Sequence, residues 1–492
     1  ERNIGPDANI TTDFALVRLT NILDKMIIYP KKMIQNIDKY LEDKNQNEQY
    51  DYKILLYGNY TFRQNLEADS LVEVLRHTLP YMSKRWKIHF TLLIPELVGS
   101  LSPWTLSKKM KNVDIKIYQL PTYINQMRQH FNTFEFMNHV DWRHNDFDIV
   151  YSHLPEHTLQ MANCLYNNSN ITPKFIGYSH WFEVPENAPY GDRAGVQKFD
   201  PARALYLSVS GLLMMDECGV NSNWLKQKTI ENAAHHWNDR VLKRLDKIIQ
   251  PHYLGVDRIN VRKKYKDKTV VFNHRAAGYT GWEWFVKVMD EVWEQRQDFQ
   301  VYTTLTQIDR PWNRKVVCDS RDDYMEFLST MKFGVGTFQT YSAWSISTTD
   351  GFSVGVPYLL PNKLCYPEMT SVVKDPYPYL YHDRKDFISK FNSMLDNEIN
   401  YDTTTLAENM IWEERISKWF GGWKDVFKLD ASRETEAVLK IKDFIKDKGI
   451  VTKRQITDYL GWGVRIKWSG YRNALRKYPE IKFTKYGYEW RK

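Results

Sequence analysis

The chain has 492 residues, 42% of them hydrophobic and 26% charged, which suits a globular protein of two or three domains. It has no apolar run of about 18 residues that could form a transmembrane helix. Its four scattered cysteines (Cys164, Cys218, Cys318, Cys365) include no CxxC pair, which argues against a disulfide framework or a zinc site and for a reducing, cytoplasmic setting. The net charge of +8 is uneven: residues 431–492 hold 16 Lys+Arg against 7 Asp+Glu, and everything before them is close to neutral. A neutral body with a basic end points to a polyanion-binding appendage or to a solvated terminus.

In chain order, apolar residues recur at helical spacing from Leu16 to Leu41, so residues 12–42 read as helix, followed by the polar linker EDKNQNEQYD (42–51). The pattern then changes. YKILLYGN (52–59), WKIHFTLLIP (86–95), VDIKIYQLP (113–121), FDIVYSHLP (147–155) and KFIGYSHWF (174–182) read as buried strands, with EADSLVEVLRHTLPYM as a helix between the first two. LYLSVSGLLMMDECGVNSNWLKQKTIENA reads as helix, strand, helix. A second block begins near residue 256. Its strands are KTVVFNHR (268–275), DFQVYTT (298–304), FGVGTFQ (333–339) and VPYLLPN (356–362). Its helices are WEWFVKVMDEVWEQR, RDDYMEFLSTM and a third from Ser345 to Val354; KDPYPYLYHD (374–383) reads as a rigid aromatic loop. Strands alternating with helices predict α/β architecture: two tandem doubly wound, Rossmann-like domains with ligands in the cleft between them.

The basic end reads as a third domain. Val438, Ile441 and Ile445 share one helical face, Thr452 caps a short second helix, and Gly461 stops it. A third helix over about 464–477 buries Trp468, Tyr471 and Leu475 and carries Arg465, Arg472 and Arg476 on its other face. IKFTKYGYEWRK reads as a β-hairpin. Three helices and a hairpin resemble a winged helix, which implies nucleic-acid contacts by Arg465, Lys467, Arg472, Arg476 and the hairpin's Lys485. Winged helices also dock proteins. The expected boundaries are 1–50, 51–255, 256–430 and 431–492.

Chemistry concentrates in a few stretches. DGFSVGVP (350–357) sets Asp350 among hydroxyls and a glycine, with no ion-pair partner beside it in sequence. An acid, four residues and Gly-x-Pro resemble the motif of retaining GT-B glycosyltransferases of the glycogen-synthase-like group, with Asp in place of the usual Glu. The resemblance implies that Asp350 binds the ribose hydroxyls of a nucleotide-sugar; the plainer alternative is a helix N-cap. The family's second Glu, eight residues upstream, is Ser342 here. Ser345, Ser347 and Thr348 at the helix start offer N–H groups and hydroxyls to a diphosphate. VVFNHRAAGYTGWEWF (270–285) matches the family's phosphate strand: Arg275 stands where its Arg does, and Thr280 replaces its Lys. HYLGVD (252–257) and GVNSNWLK (219–226) resemble the segments flanking the domain boundary. YSHWFE (178–183) is similar to a strand end of phage DNA α-glucosyltransferases, implying a role for His180 at the sugar or acceptor, with Glu183 nearby; a strand-end His also serves structurally. Gly58 and Asn59 resemble the loop that approaches the donor.

The resemblance therefore implies transfer from a UDP-linked sugar, with retention and without a bound metal. Joined to a basic winged-helix-like module, it implies double-stranded DNA bearing a hydroxymethylated pyrimidine as acceptor, a bacteriophage-type DNA modification. A cell-surface glycan or protein acceptor is the alternative, and a non-catalytic DNA-binding scaffold a third.

Overall fold

The computed structural model describes residues 50–58, 70–96, 113–119, 131–140, 147–168, 173–180, 201–259, 261, 264–276, 278–337, 339, 342–371, 376–401, 403–422, 431–459, 475, 478, 480–484 and 487–491. The helices expected over 12–42 lie outside the described residues, as does most of the third helix of the basic module.

The first domain runs β1 (Tyr52–Tyr57), α1 (Ser70–Ser83), β2 (Ile88–Glu96), β3 (Val113–Gln119), α2 (Thr133–Val140), β4 (Ile149–Ser152), α3 (Pro155–Asn168), β5 (Lys174–Ser179), α4 (Pro201–Leu212), β6 (Glu217–Val220), α5 (Asn223–Ala233), α6 (Asp239–Ile248) and β7 (Ile249–Pro251). Its seven strands lie in the order β3-β2-β1-β4-β5-β6-β7, and every pairing is parallel. The YKILLY strand shows why an unbroken apolar run becomes a central strand. Leu55 and Tyr57 enter the core on one face while Ile54 and Leu56 enter the core on the other, and all four are at most 2% exposed.

The second domain runs β8 (Thr269–Phe272), α7 (Trp282–Gln295), β9 (Gln300–Thr303), β10 (Asn313–Lys315), α8 (Arg321–Ser329), β11 (Phe333–Val335), α9 (Ile346–Ser353), β12 (Tyr358–Pro361), α10 (Tyr366–Thr370), β13 (Leu380–Tyr381), α11 (Arg384–Asp396) and α12 (Thr404–Glu408). Its six strands are ordered β10-β9-β8-β11-β12-β13, again all parallel. Both sheets thus have the doubly wound order in which the first strand lies beside the fourth. Three short strands, β7, β10 and β13, were not legible in the sequence, and β13 falls within the stretch read as a loop. Val354-Gly355-Val356 turns α9 into β12 with Gly355 at φ +80°, a left-handed conformation that glycine adopts without strain.

The last helix of this stretch, α13 (Trp412–Gly422), returns to the first domain. Trp412, Ile416, Trp419 and Phe420 are buried in the same core as Ile54, Leu56 and Tyr178. Trp419 stacks on both Tyr178 and His252, at centroid distances of 5.1 and 5.3 Å. Burying these four side chains contributes roughly 6–12 kcal/mol as an upper bound. Two chain crossings run side by side where the domains join. The Val256 N–H donates to Met410 O at 2.9 Å and the Trp412 N–H to Val256 O at 3.2 Å. Gly255 permits this approach, because a Cβ there would meet the Trp412 ring at 2.5 Å.

The basic end forms α14 (Ala431–Lys448), β14 (Ile450–Val451), α15 (Lys453–Tyr459), β15 (Ile481–Thr484) and β16 (Gly487–Trp490), its sheet ordered β14-β16-β15 and antiparallel. Val438, Ile441 and Ile445 fill its core together with Leu475 and Tyr488. Thr452 caps α15 in a capping box: the Gln455 N–H donates to Thr452 Oγ1 at 3.3 Å, and the Thr452 N–H donates to Gln455 Oε1 at 2.7 Å.

Candidate functional site

In a doubly wound sheet, ligands collect beyond the carboxyl ends of the strands where the strand order reverses. Those points are β1/β4 in the first domain and β8/β11 in the second, and most of the described candidate residues cluster about them or in the helices that follow.

Beyond β8 come Asn273, His274 and Arg275. Asn273 is buried, and its Nδ2 lies 2.8 Å from Tyr324 Oη of α8, 3.0 Å from Ser347 O of α9 and 2.9 Å from Tyr358 Oη of β12. It therefore ties α8 and α9 to the end of β8. Burial pushes His274 down to about 4, so it is neutral at neutral pH. Arg275 is exposed. Thr280 is buried, and its hydroxyl donates to Arg275 O at 2.9 Å, which braces the loop behind the arginine. Thr337 donates in turn to Thr280 O.

The helix expected from Ser345 to Val354 is α9, with Ser345 as its N-cap. Ser345 Oγ accepts from the Thr348 N–H at 3.3 Å and lies 2.8 Å from Thr348 Oγ1, so these hydroxyls satisfy each other. Ile346 and Ser347 supply the first helical N–H groups, which have no acceptor within a helix. Ser342 is buried with its hydroxyl 3.5 Å from Cys365 Sγ.

Asp350 lies in the second turn of α9 and is 5% exposed, so it is not the cap. The fold brings it an ion-pair partner from another helix. Arg321, the first residue of α8, donates from Nη2 to Asp350 Oδ1 at 3.0 Å. Among the described residues this is the one hydrogen bond to that carboxylate, and it leaves Oδ2 without one. Burial raises the Asp350 pKa, Arg321 opposes this, and the nearby Glu73 and Asp257 add to the rise, bringing it to about 6. Gly351 lets α9 lie against β12, since a Cβ there would meet Tyr358 Cε2 at 2.1 Å.

The charges continue across the domain boundary. Arg321 Nε is 3.9 Å from Asp257 Oδ2 in the connecting segment, and Arg76 Nη2 of α1 joins Asp257 at 2.8 Å to Glu73 at 2.6 Å. His77 Nε2 lies 3.0 Å from Glu73 Oε1 and 3.3 Å from Asp257 Oδ1, and its ring stacks on Trp412 at 4.5 Å. Burial works to raise Glu73, but His77 and Arg76 outweigh it and hold the carboxyl at about 2. Glu73, His77 and Asp257 come close enough to share a cation, and the Arg76 guanidinium already bridges the two carboxylates.

On the first domain, Gly58 follows β1 and is buried, His153 follows β4, and His180 follows β5, half-buried. His180 stands edge-on to Tyr178 at 5.2 Å, and its carbonyl accepts from Asn221 Nδ2 at 2.9 Å. Burial, helped by His180, holds His153 well below the usual histidine range. Ser222 of the GVNS stretch caps α5, accepting from the Leu225 N–H at 3.1 Å. A second clasp joins the domains at that helix: Glu368 of α10 accepts from the N–H groups of Asn223 at 2.6 Å and Trp224 at 2.9 Å, and from Tyr253 Oη at 2.6 Å. Asn59, Glu183, Arg465, Lys467, Arg472, Arg476 and Lys485 lie outside the described residues.

No protein-family profile and no curated protein matches the chain. Solved structures do. Anabaena Alr3699/HepE, crystallised with UDP and glucose, superposes over 76% of this chain and 99% of its own, with TM-score 0.54 and 9% identity. Sucrose-phosphate synthase from Thermosynechococcus elongatus gives TM-score 0.54 at 12% identity over the same shares of the two chains. A UDP-forming α,α-trehalose-phosphate synthase from Burkholderia xenovorans gives 0.53 at 10%, with the same coverage. The chain has the GT-B fold. Sequence reasoning located the GT-B strand ends and α9 but missed Arg321, Asn273, Asp257 and Glu368. Asn273 and Asp257 stood inside quoted motifs (VVFNHR and HYLGVD), and that position was the available signal. Arg321 opens the predicted helix RDDYMEFLSTM, whose cap is Ser320, accepting from the Asp323 N–H at 3.0 Å.

Proposed function

We propose that this chain is a glycosyltransferase that takes a sugar from a UDP-sugar and delivers it to a hydroxymethylated pyrimidine in double-stranded DNA. The Asp350 carboxylate carries the donor half of this reading: it is buried in α9, with one oxygen held by Arg321 and the other available to a ribose cis-diol. The UDP complex of the Anabaena relative supports it.

In the reaction, the bond between the sugar's anomeric carbon and the diphosphate oxygen breaks, and its electron pair leaves with UDP. The acceptor hydroxyl oxygen bonds to that carbon, and its proton passes to the departing phosphate. Arg275 and the N–H groups at the start of α9 stabilise the developing charge. With Thr280 and Ser342 buried and bonded elsewhere, Arg275 carries the larger share. His180, with Gly58, Asn59 and Glu183, contacts the sugar and acceptor from the first domain. No side-chain nucleophile is required, in keeping with retention by attack on the face the leaving group vacates, without a bound metal.

The acceptor half rests on the basic end. Helix, strand, helix and hairpin with sheet order β14-β16-β15 support a winged-helix reading, and 16 Lys+Arg against 7 Asp+Glu support a polyanion partner. Arg465, Lys467, Arg472, Arg476 and Lys485 would contact the duplex, and the target base would leave the stack at a cost of about a few kcal/mol. The test is incubation with hydroxymethylcytosine-containing duplex and a panel of UDP-sugars, read by nucleoside mass spectrometry. A mass gain of one sugar on the base is expected. UDP release with transfer only to a glycan or protein would refute the acceptor, and no turnover of any donor would refute the enzyme.

A further inference from the structure

We infer that Arg321 is a positioning residue for the donor: it holds one oxygen of Asp350 in place, leaves the other for the ribose, and links that carboxylate to the first domain through Asp257 and Arg76. The inference rests on the donor reading above and goes past it, because no motif in the sequence marks Arg321.

The geometry gives the reason. Asp350 is buried, whereas Arg321 reaches it from another helix with its own side chain one-third exposed. A buried carboxylate with one monodentate partner keeps an acceptor oxygen for an incoming hydroxyl. Without Arg321 the same carboxylate would be a buried, uncompensated charge, and it would take up a proton instead. The groups that act on it are Arg321 and Tyr324 of α8, Tyr358 of β12, Asp257 of the connecting segment and Glu73 of α1. Only Arg321 among them favours the ionised form. Asp257 is the far end of the same guanidinium contact, 3.9 Å from Arg321 Nε, and is itself fixed by Arg76. The orientation of the ribose ligand is thereby tied to α1 of the other domain.

The experiment titrates UDP and 2′-deoxy-UDP by calorimetry against the full chain from pH 5 to 8, for wild type, Arg321→Gln, Arg321→Lys and Asp257→Asn. UDP's own phosphate titrates in every arm, so the shift between variants is the readout. Wild type is expected to prefer UDP and to lose affinity below about pH 6. Arg321→Gln should move that loss upward by about two units, and so weaken UDP about tenfold at pH 7 and remove the preference over the deoxy form. Arg321→Lys should restore part of both. Asp257→Asn removes a repelling charge and should move the loss downward; it carries the test if Arg321→Gln fails to fold. Wild-type midpoints and wild-type ribose preference in folded Arg321→Gln, or an unmoved midpoint in Asp257→Asn, overturn the inference alone. Failure of wild type to bind UDP overturns the donor reading, and this inference with it.

Discussion

Replacing Glu368 with glutamine isolates one of the contacts between the two Rossmann-like domains. The carboxylate accepts from two N–H groups at the start of α5 and from the Tyr253 hydroxyl, at 2.6, 2.9 and 2.6 Å. Hydrogen bonds to a charged group contribute about 1.5–3 kcal/mol each. Glutamine keeps one carbonyl oxygen, turns the other acceptor into a donor facing donors, and loses the charge that favours a helix N-terminus. The contact is partly solvated, so the net loss is about 2–4 kcal/mol rather than the full sum. Hydrogen exchange reads this directly at the Asn223 and Trp224 amides, where protection should fall roughly 30- to 700-fold. Calorimetry should show the domains melting farther apart. If the two amides keep wild-type protection while the substituted protein remains folded, the clasp does not hold the helix end and the reasoning fails.

Three further substitutions bear on other parts of the account. Asp350 binds its proton more tightly in the folded protein, about 6 against 3.8, so its ionisation costs nothing below pH ~4 and up to about 3 kcal/mol above pH ~6. Asp350→Asn should therefore gain on wild type by up to about 3 kcal/mol as pH rises from 4 to 7; denaturant melts with parallel pH dependence would contradict this. Gly351→Ala sets a methyl against the buried Tyr358 ring and should cost about 1–3 kcal/mol and weaken UDP binding, as thermal melts and titration will report. Trp419→Ala removes the indole stacked on Tyr178 and His252 and should cost about 3–5 kcal/mol by urea unfolding, with the first domain affected before the second.

What could be read from the sequence followed from how local the cause was. Strands such as YKILLY, buried on both faces, announce themselves as apolar runs. IQP, NRK and LY become strands only because β6, β9 and β12 offer them edges, and no property of two or three residues records that. In the predicted helix WEWFVKVMDEVWEQR, Phe285 is fully buried while Trp282 and Trp284 pack against the second domain's core. The helix containing Asp350 was legible from its flanking hydroxyls and its Gly-x-Pro. Its ion pair was not, because Arg321 belongs to another helix. The same holds for Glu368, whose partners lie in the other domain.

The return of α13 to the first domain imposes an order on synthesis. The first core includes Trp412 and Trp419, which follow the entire second sheet in the chain. At about 5–20 residues per second, a ribosome needs roughly 10–30 s to travel from Leu254 to Trp419. During that interval Tyr178 and His252 lack the indole that stacks on them. The nascent first domain must therefore wait with an apolar groove open until α13 emerges, and any truncation upstream of Trp412 would leave that groove open permanently.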